Sequence, residues 1–200
     1  MQENLQNVWS YNSLRKYQII YCDVPWNYND QGCQGTMANH YKGMSLEELC
    51  NLPIEKISDE NCILFFWVTY PMLREALQII EAWNFHYKTI AFQWIKLNKK
   101  GQGYFYGLGR WTRGNSECCL LATKGKPKRK SASVFQLIVS PRREHSRKPD
   151  EVRDKIIELM GDLPRIELFA REKAEGWDAM GLEISGKDIR EELNNLIKKE

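Results

Sequence analysis

Cys62-Ile-Leu-Phe-Phe-Trp-Val68 is an unbroken apolar run of strand length. A strand that meets water on one face alternates apolar and polar residues. A continuous run marks a strand covered on both faces, as in the middle of a parallel sheet. Just beyond it, Pro71 stands in the first turn of a helix, and Leu73, Leu77, Ile80 and Trp83 recur at helical spacing until Asn84 ends it. Residues 86–96 are β-rich again, so the local pattern is strand, helix, strand.

The same alternation extends in both directions. Upstream, Tyr17-Gln-Ile-Ile-Tyr-Cys22 is a β-prone run that stops at Asp23-Val24-Pro25-Trp26, because Pro25 has no N–H for a ladder. Residues 27–42 are glycine-rich and polar without a period. Ser45, with Glu48 three positions on, then caps a helix through Leu49. Downstream, residues 98–115 carry five glycines and no period and read as a long loop. Strands are expected at 117–123 and 134–139. Pro149 and Asp150 start a helix with Val152, Ile156, Ile157 and Met160 on one face, closed by Gly161. Residues 165–169 form the next strand, 177–184 a short element, and the tail from Lys187 an amphipathic helix bearing Ile189, Leu193, Leu196 and Ile197. The tail is expected to dock on its own domain. The whole reads as an α/β domain with a largely parallel sheet and ligands at the carboxyl ends of its strands.

Composition narrows the function classes. A chain of 200 residues makes one domain and buries roughly 70% of its unfolded surface. With 42% hydrophobic and 28% charged residues, disordered and fibrous chains are excluded. No apolar run approaches the roughly 20 residues of a membrane span, and residues 1–10 lack a secretory core, so a cytoplasmic protein is expected. Six cysteines without a C-x-x-C pair, and three histidines, make a metal site improbable; the thiols read as small buried hydrophobes. Net charge is only +3, but cations cluster: Lys124, Lys126, Lys128, Arg129 and Lys130 in one stretch, Arg142, Arg143, Arg147 and Lys148 in another. Such clusters suit phosphates. Arg110, Trp111 and Arg113 mix cations with an aromatic, as nucleic-acid grooves do. The glycines of residues 101–109 are wrongly spaced for dinucleotide binding, and no helix follows them.

Asp23 to Trp26 sit where an α/β sheet puts its site, immediately past a strand end. An exocyclic amine on a nucleobase is a poor nucleophile because its lone pair is delocalised into the ring. Two acceptors for its two N–H protons draw the nitrogen towards tetrahedral geometry. The Asp23 carboxylate and the Val24 carbonyl are candidates, and Trp26 offers a flat face for an extruded base. A carboxylate of ordinary pKa, near ~3.9, does not deprotonate a neutral amine, so Asp23 would act by hydrogen bonding and charge stabilisation.

These residues resemble the MT-A70-like N6-adenine methyltransferases, which use S-adenosylmethionine. Asp23 to Trp26 matches the family's Asp-Pro-Pro-Trp tetrapeptide. Met44-Ser-x-Glu-Glu, Leu52-Pro-Ile, Leu64-Phe-Phe-Trp-Val-Thr69, Trp94-x-Lys96, Gly109-x-Trp-x-Arg-x-Asn-x-Glu117, Lys124-Gly125, His145-Ser-x-Lys-Pro-Asp150 and Glu167-Leu-Phe-Ala-Arg171 follow in the family's order. The resemblance covers about residues 17–184, with 187–200 as a helical tail of the same single domain. It implies a Rossmann-like methyltransferase fold with a mostly parallel sheet, helices on both faces and permuted motif order. It further implies that Asp23 holds the target amine and approaches the cofactor, that Trp26 packs the base, that Lys148 meets the cofactor's carboxylate, and that Glu167 and Arg171 line its site. Val24 departs from the family proline, but Pro25 still keeps it extended and its carbonyl survives.

The function so implied is methyl transfer from S-adenosylmethionine to adenine N6, in DNA by similarity to stand-alone bacterial and phage-type members. The alternatives are an RNA methyltransferase, a non-catalytic nucleic-acid-binding subunit, or an N-methyltransferase of small molecules or proteins. No metal is required. Expected nucleic-acid contacts are Tyr28, His40, Tyr41, Arg110, Arg113, Lys124, Lys126, Lys128, Arg129, Lys130, Arg142 and Arg143, on a monomer or homodimer.

Overall fold

A computed structural model describes residues 16–27, 43–109, 111–143 and 147–198. Seven strands form one sheet: β1 (Tyr17–Cys22), β2 (Ser58–Val68), β3 (His86–Leu97), β4 (Ser116–Lys124), β5 (Leu137–Pro141), β6 (Arg165–Leu168) and β7 (Asp178–Met180), in the order β5-β3-β4-β2-β1-β6-β7. β1 pairs in parallel with β2 and β6, β6 with β7, and β3 with β5. β4 is antiparallel to both neighbours, β2 and β3. The run at 62–68 is therefore central, as its composition requires, but it is parallel to one neighbour and antiparallel to the other. The sheet is α/β and mostly parallel, consistent with a Rossmann-like methyltransferase fold.

Alternation explains why β2 needs no polar residue over 62–68. Ile63, Phe65 and Trp67 face one way with Ile19 and Tyr21, and pack on Val152, Ile156 and Met160. Leu64, Phe66 and Val68 face the other way with Ile20 and Cys22, and pack on Leu49, Ile79, Ile80 and Trp83. The first face belongs to α4 (Glu151–Met160). The second belongs to α1 (Leu46–Cys50), α2 (Ile54–Ile57), α3 (Leu73–Ala82) and α6 (Ile189–Ile197). The short α5 (Leu182–Ser185) links β7 to the tail.

Local chemistry sets the helix ends. Ser45 accepts from the Glu48 amide at 3.2 Å while the Glu48 carboxylate accepts from the Ser45 amide at 2.8 Å, the expected capping box. Pro71 lies in a 3-10 turn (Tyr70–Met72), so α3 begins only at Leu73. Ala76, Ile79, Ile80 and Trp83 turn inward, whereas Leu73 heads the helix at the rim of the sheet and stays 38% exposed. Asp188 caps α6, accepting from the Arg190 amide at 2.9 Å. Ile189 and Leu193 are buried, with Leu196 and Ile197 packed beside them, so the tail docks on its own domain. The strand expected at 134–139 begins three residues later and ends two later, as an edge strand that finishes at Pro141.

No helix among the described residues is long and apolar enough to cross a membrane. The described cysteines are free, and burial raises their pKa values, Cys62 to about 12.

Candidate active site

The carboxyl ends of β1, β2 and β6 and the amino end of the reversed β4 meet at one edge of the sheet. Chain leaving β1 continues as Asp23-Val24-Pro25, and Trp26 bridges to Met44: the Met44 amide donates to the Pro25 carbonyl at 2.8 Å, and the Asn27 amide to Met44 at 3.3 Å. Gly43 permits this approach, since a Cβ there would lie 2.7 Å from the Asn27 Cα. Beside this segment opens a cavity of about 300 Å³, a size at the lower end of small-molecule sites.

Its polar floor is a chain of alternating charge. Lys148, in the loop before α4, donates to the Asp23 carboxylate at 2.5 Å and lies 3.4 Å from Glu117 at the start of β4. Glu117 in turn accepts from Lys96 near the end of β3. The Lys148 ammonium also sits 5.6 Å from the centre of the Trp67 ring. Burial pushes the Asp23 carboxyl above its ordinary value, against the pull of Lys148. At Glu117 burial also pushes upward, but Lys148 and Lys96 together outweigh it and hold the carboxyl below its ordinary value. Burial would lower Lys148, yet Asp23 and Glu117 overcome it and raise it. The result is a pre-positioned carboxyl at the cavity wall, paired with a lysine that Glu117 and the Trp67 ring also hold.

The remaining wall combines apolar Met44, Val68, Phe169, Leu182 and Ile189 with polar Glu48, Arg171, Glu183, Asp188 and Arg190. Phe169 follows β6 with φ of +59°, a conformation that costs a non-glycine residue of order 1 kcal/mol or more. The Gly181 amide donates to Glu192 of α6 at 2.8 Å, and Arg190 pairs with Glu48 at 2.9 Å. The tail helix thus closes one side.

Asp23, Val24, Pro25, Trp26, Lys148 and Arg171 are brought together at the cavity. Other expectations need correction. Glu167 lies on β6 between Ile166 and Leu168, so alternation turns it to the opposite face, where Arg153 holds it at 2.7 and 3.1 Å. Trp26 is only 5% exposed and packs edge-on against Phe66, so it is a wall rather than a free stacking face. Lys124, Lys126, Lys128, Arg129 and Lys130 follow the carboxyl end of β4, which is antiparallel, and so lie at the far edge of the sheet. The nine residues of β4 span roughly 27 Å. There Lys124 donates to Ser58 at 2.9 Å, and the Lys130 amide to Leu159 at 2.7 Å. In the other basic stretch, Arg143 pairs with Asp150, and Arg147 with Glu172 at 2.8 Å. Arg142 stacks over Phe105 at 4.3 Å and Arg113 over Tyr106 at 5.2 Å. Tyr28, His40, Tyr41 and Arg110 lie outside the described residues.

Sequence reading assigned no role to Glu117, Lys96 or the start of α6. The signal for Glu117 was present: it is an acid opening an otherwise apolar strand. The Asp188 to Arg190 wall carries no such mark, because only docking of the tail brings it to the cavity.

The chain is 35% identical over 195 residues to the Type II methyltransferase M.MunI of Mycoplasma sp, covering 81% of that protein. It is 30% identical over 177 residues to a putative N(6)-adenosine-methyltransferase MT-A70-like of Medicago truncatula, and 27% identical over 177 residues to the catalytic subunit of the human N(6)-adenosine-methyltransferase. It spans 27% and 29% of those two longer proteins. The family description MT-A70 matches residues 17–183, which include every strand of the sheet and the whole charge chain from Asp23 to Lys148, and by that match the chain belongs to the MT-A70 family.

Proposed function

We propose that this protein transfers a methyl group from S-adenosylmethionine to N6 of adenine in DNA. The observation that carries the reading is the Asp23 carboxylate at the cavity wall, held by Lys148 in a chain that continues through Glu117 to Lys96. The residues present fit the cofactor. An amino-acid zwitterion needs an anion and a cation side by side, which Asp23 and Lys148 supply; a ribose diol suits Arg171 and Glu183; a purine suits the apolar surfaces of Phe169, Leu182 and Ile189. When bound, S-adenosylmethionine supplies a methyl group made electrophilic by its sulfonium.

The chain's own residues do the rest. Asp23 accepts one N–H of the target amine and the Val24 carbonyl the other, drawing the nitrogen lone pair out of conjugation and towards the donor methyl. Asp23 would stabilise the positive charge that develops on the nitrogen as it takes up the donor's methyl group, with no covalent bond to the enzyme. The proton then released passes to the carboxylate or to water. Lys148 favours the ionised form of Asp23 against its burial and aims it, and Glu117 holds Lys148 in place.

The N6 position is supported by the relatives named N(6)-adenosine-methyltransferases, and DNA by the higher identity and fuller coverage shared with the Type II methyltransferase. Purified protein with isotope-labelled donor should convert adenine in duplex DNA to N6-methyladenine, read by nuclease digestion and mass spectrometry. Asp23→Asn should lower the rate about a hundredfold or more. Label appearing in RNA alone would overturn the substrate.

A further inference from the structure

The five glycines of residues 98–115 are not spaced for a dinucleotide, and the structure gives them another use. This segment joins the carboxyl end of β3 to the amino end of β4, so it rises from the same edge as Asp23, rooted next to Lys96 and Glu117. It is folded rather than merely long. The Phe105 amide donates to the Lys96 carbonyl at 2.8 Å, and the Asn98 amide to Gly103 at 3.0 Å. Farther out, two legs touch: a Cβ on Gly107 would lie 2.0 Å from the Gly114 carbonyl oxygen, and one on Gly109 1.9 Å from that of Thr112. Only glycine permits this contact, and Trp111 lies next to it, beside Thr112. Trp111 is 99% exposed, Leu108 89%, Tyr106 71% and Tyr104 64%. From Asn98 to Asn115 the sequence has four cations and no acid.

An exposed tryptophan costs solvation without a partner, and the charge around it selects the partner. A second copy of this chain, with net charge +3, would bring no general complement to an all-cationic projection. A polyanion whose units carry flat π faces complements both features at once. We propose that this projection holds the substrate strand beside the cavity: Trp111 stacks on a base near the target adenine, and Lys99, Lys100, Arg113 and Arg142 engage the flanking phosphates. The basic residues at 124–130, at the far edge, do not grip that strand. The proposal rests on the nucleic-acid reading above.

The test is binding of an adenine-containing duplex and a single-stranded oligonucleotide of the same sequence, followed by fluorescence anisotropy at two salt concentrations. Trp111→Ala should weaken binding about tenfold, Trp111→Tyr should restore most of it, and thermal melting of both should match the parent, since the side chain is exposed. Gly109→Ala, which forces the legs apart, should weaken binding similarly. Neutralising Lys126, Lys128 and Arg129 together should change affinity less than twofold. Binding unchanged in Trp111→Ala, a greater loss in the triple variant, or a dimer of the parent that Trp111→Ala converts to monomer without loss of binding would each overturn the proposal. Methyl transfer by the parent, assayed separately, keeps its failure distinguishable from failure of the methyltransferase reading.

Discussion

Asp23 carries opposed influences, and its substitution should separate them. Burial makes its charged form costly, so the folded protein binds its proton more tightly than the unfolded chain does. The ionised group therefore subtracts from stability above its folded pKa. Asp23→Asn should melt at the same temperature as the parent or higher while losing activity, a trade between stability and function measurable by calorimetry and methyl transfer. Because the carboxylate must be ionised to accept the amine protons, activity should fall on the acid side at a pH above the ordinary aspartate value. Lys148→Met should push that limb higher still. It also leaves two acids without their shared cation, at a cost on the order of 2 kcal/mol, less than the about 3–5 of a fully enclosed pair because Asp23 is partly exposed. An unchanged acid limb in Lys148→Met would refute the role given to this pair. The aspartate was legible from its place after a strand and before a proline. Its pairing with Lys148, 125 positions away, was not legible, since the family resemblance gave that lysine only as meeting the cofactor's carboxylate.

Among the elements, the tail helix has the least conspicuous sequence and a direct bearing on the cavity. Leu193 is fully buried, so Leu193→Ala should cost about 2–4 kcal/mol by denaturant titration. Because Asp188, Ile189 and Arg190 line the cavity, the same variant should also raise the KM for the methyl donor more than it lowers kcat. The capping box of α1 offers a quieter comparison: Ser45→Ala should cost about 1 kcal/mol. Helices α1, α4 and α6 were readable because caps and apolar spacing are local properties. The reversal of β4 was not readable, because an apolar strand looks alike in either direction. That reversal decides which basic residues share an edge with Asp23.

For the molecule as a whole, the charge chain links stability to pH with signs that can be checked. Glu117, with a folded pKa below its ordinary value, contributes stability that is present above about pH 4.5 and is lost as pH falls through the folded value. Lys148, raised in the fold, contributes stability below its ordinary value near 10.5 that is lost only at more alkaline pH. Glu117→Gln should therefore flatten the acid decline of stability and, by removing one of the two acids that raise Lys148, also bring the alkaline decline to lower pH.

The sequence by itself determined the α/β class, the helix caps, the central apolar strand and the tetrapeptide at a strand end, because each depends on neighbours within about ten residues. Tertiary structure alone decided that Glu167 faces Arg153, that residues 124–130 lie across the sheet from the cavity, and that Glu117, Lys96 and α6 complete the site. These follow from strand direction and side-chain alternation, and both are settled by pairing between segments far apart in the chain.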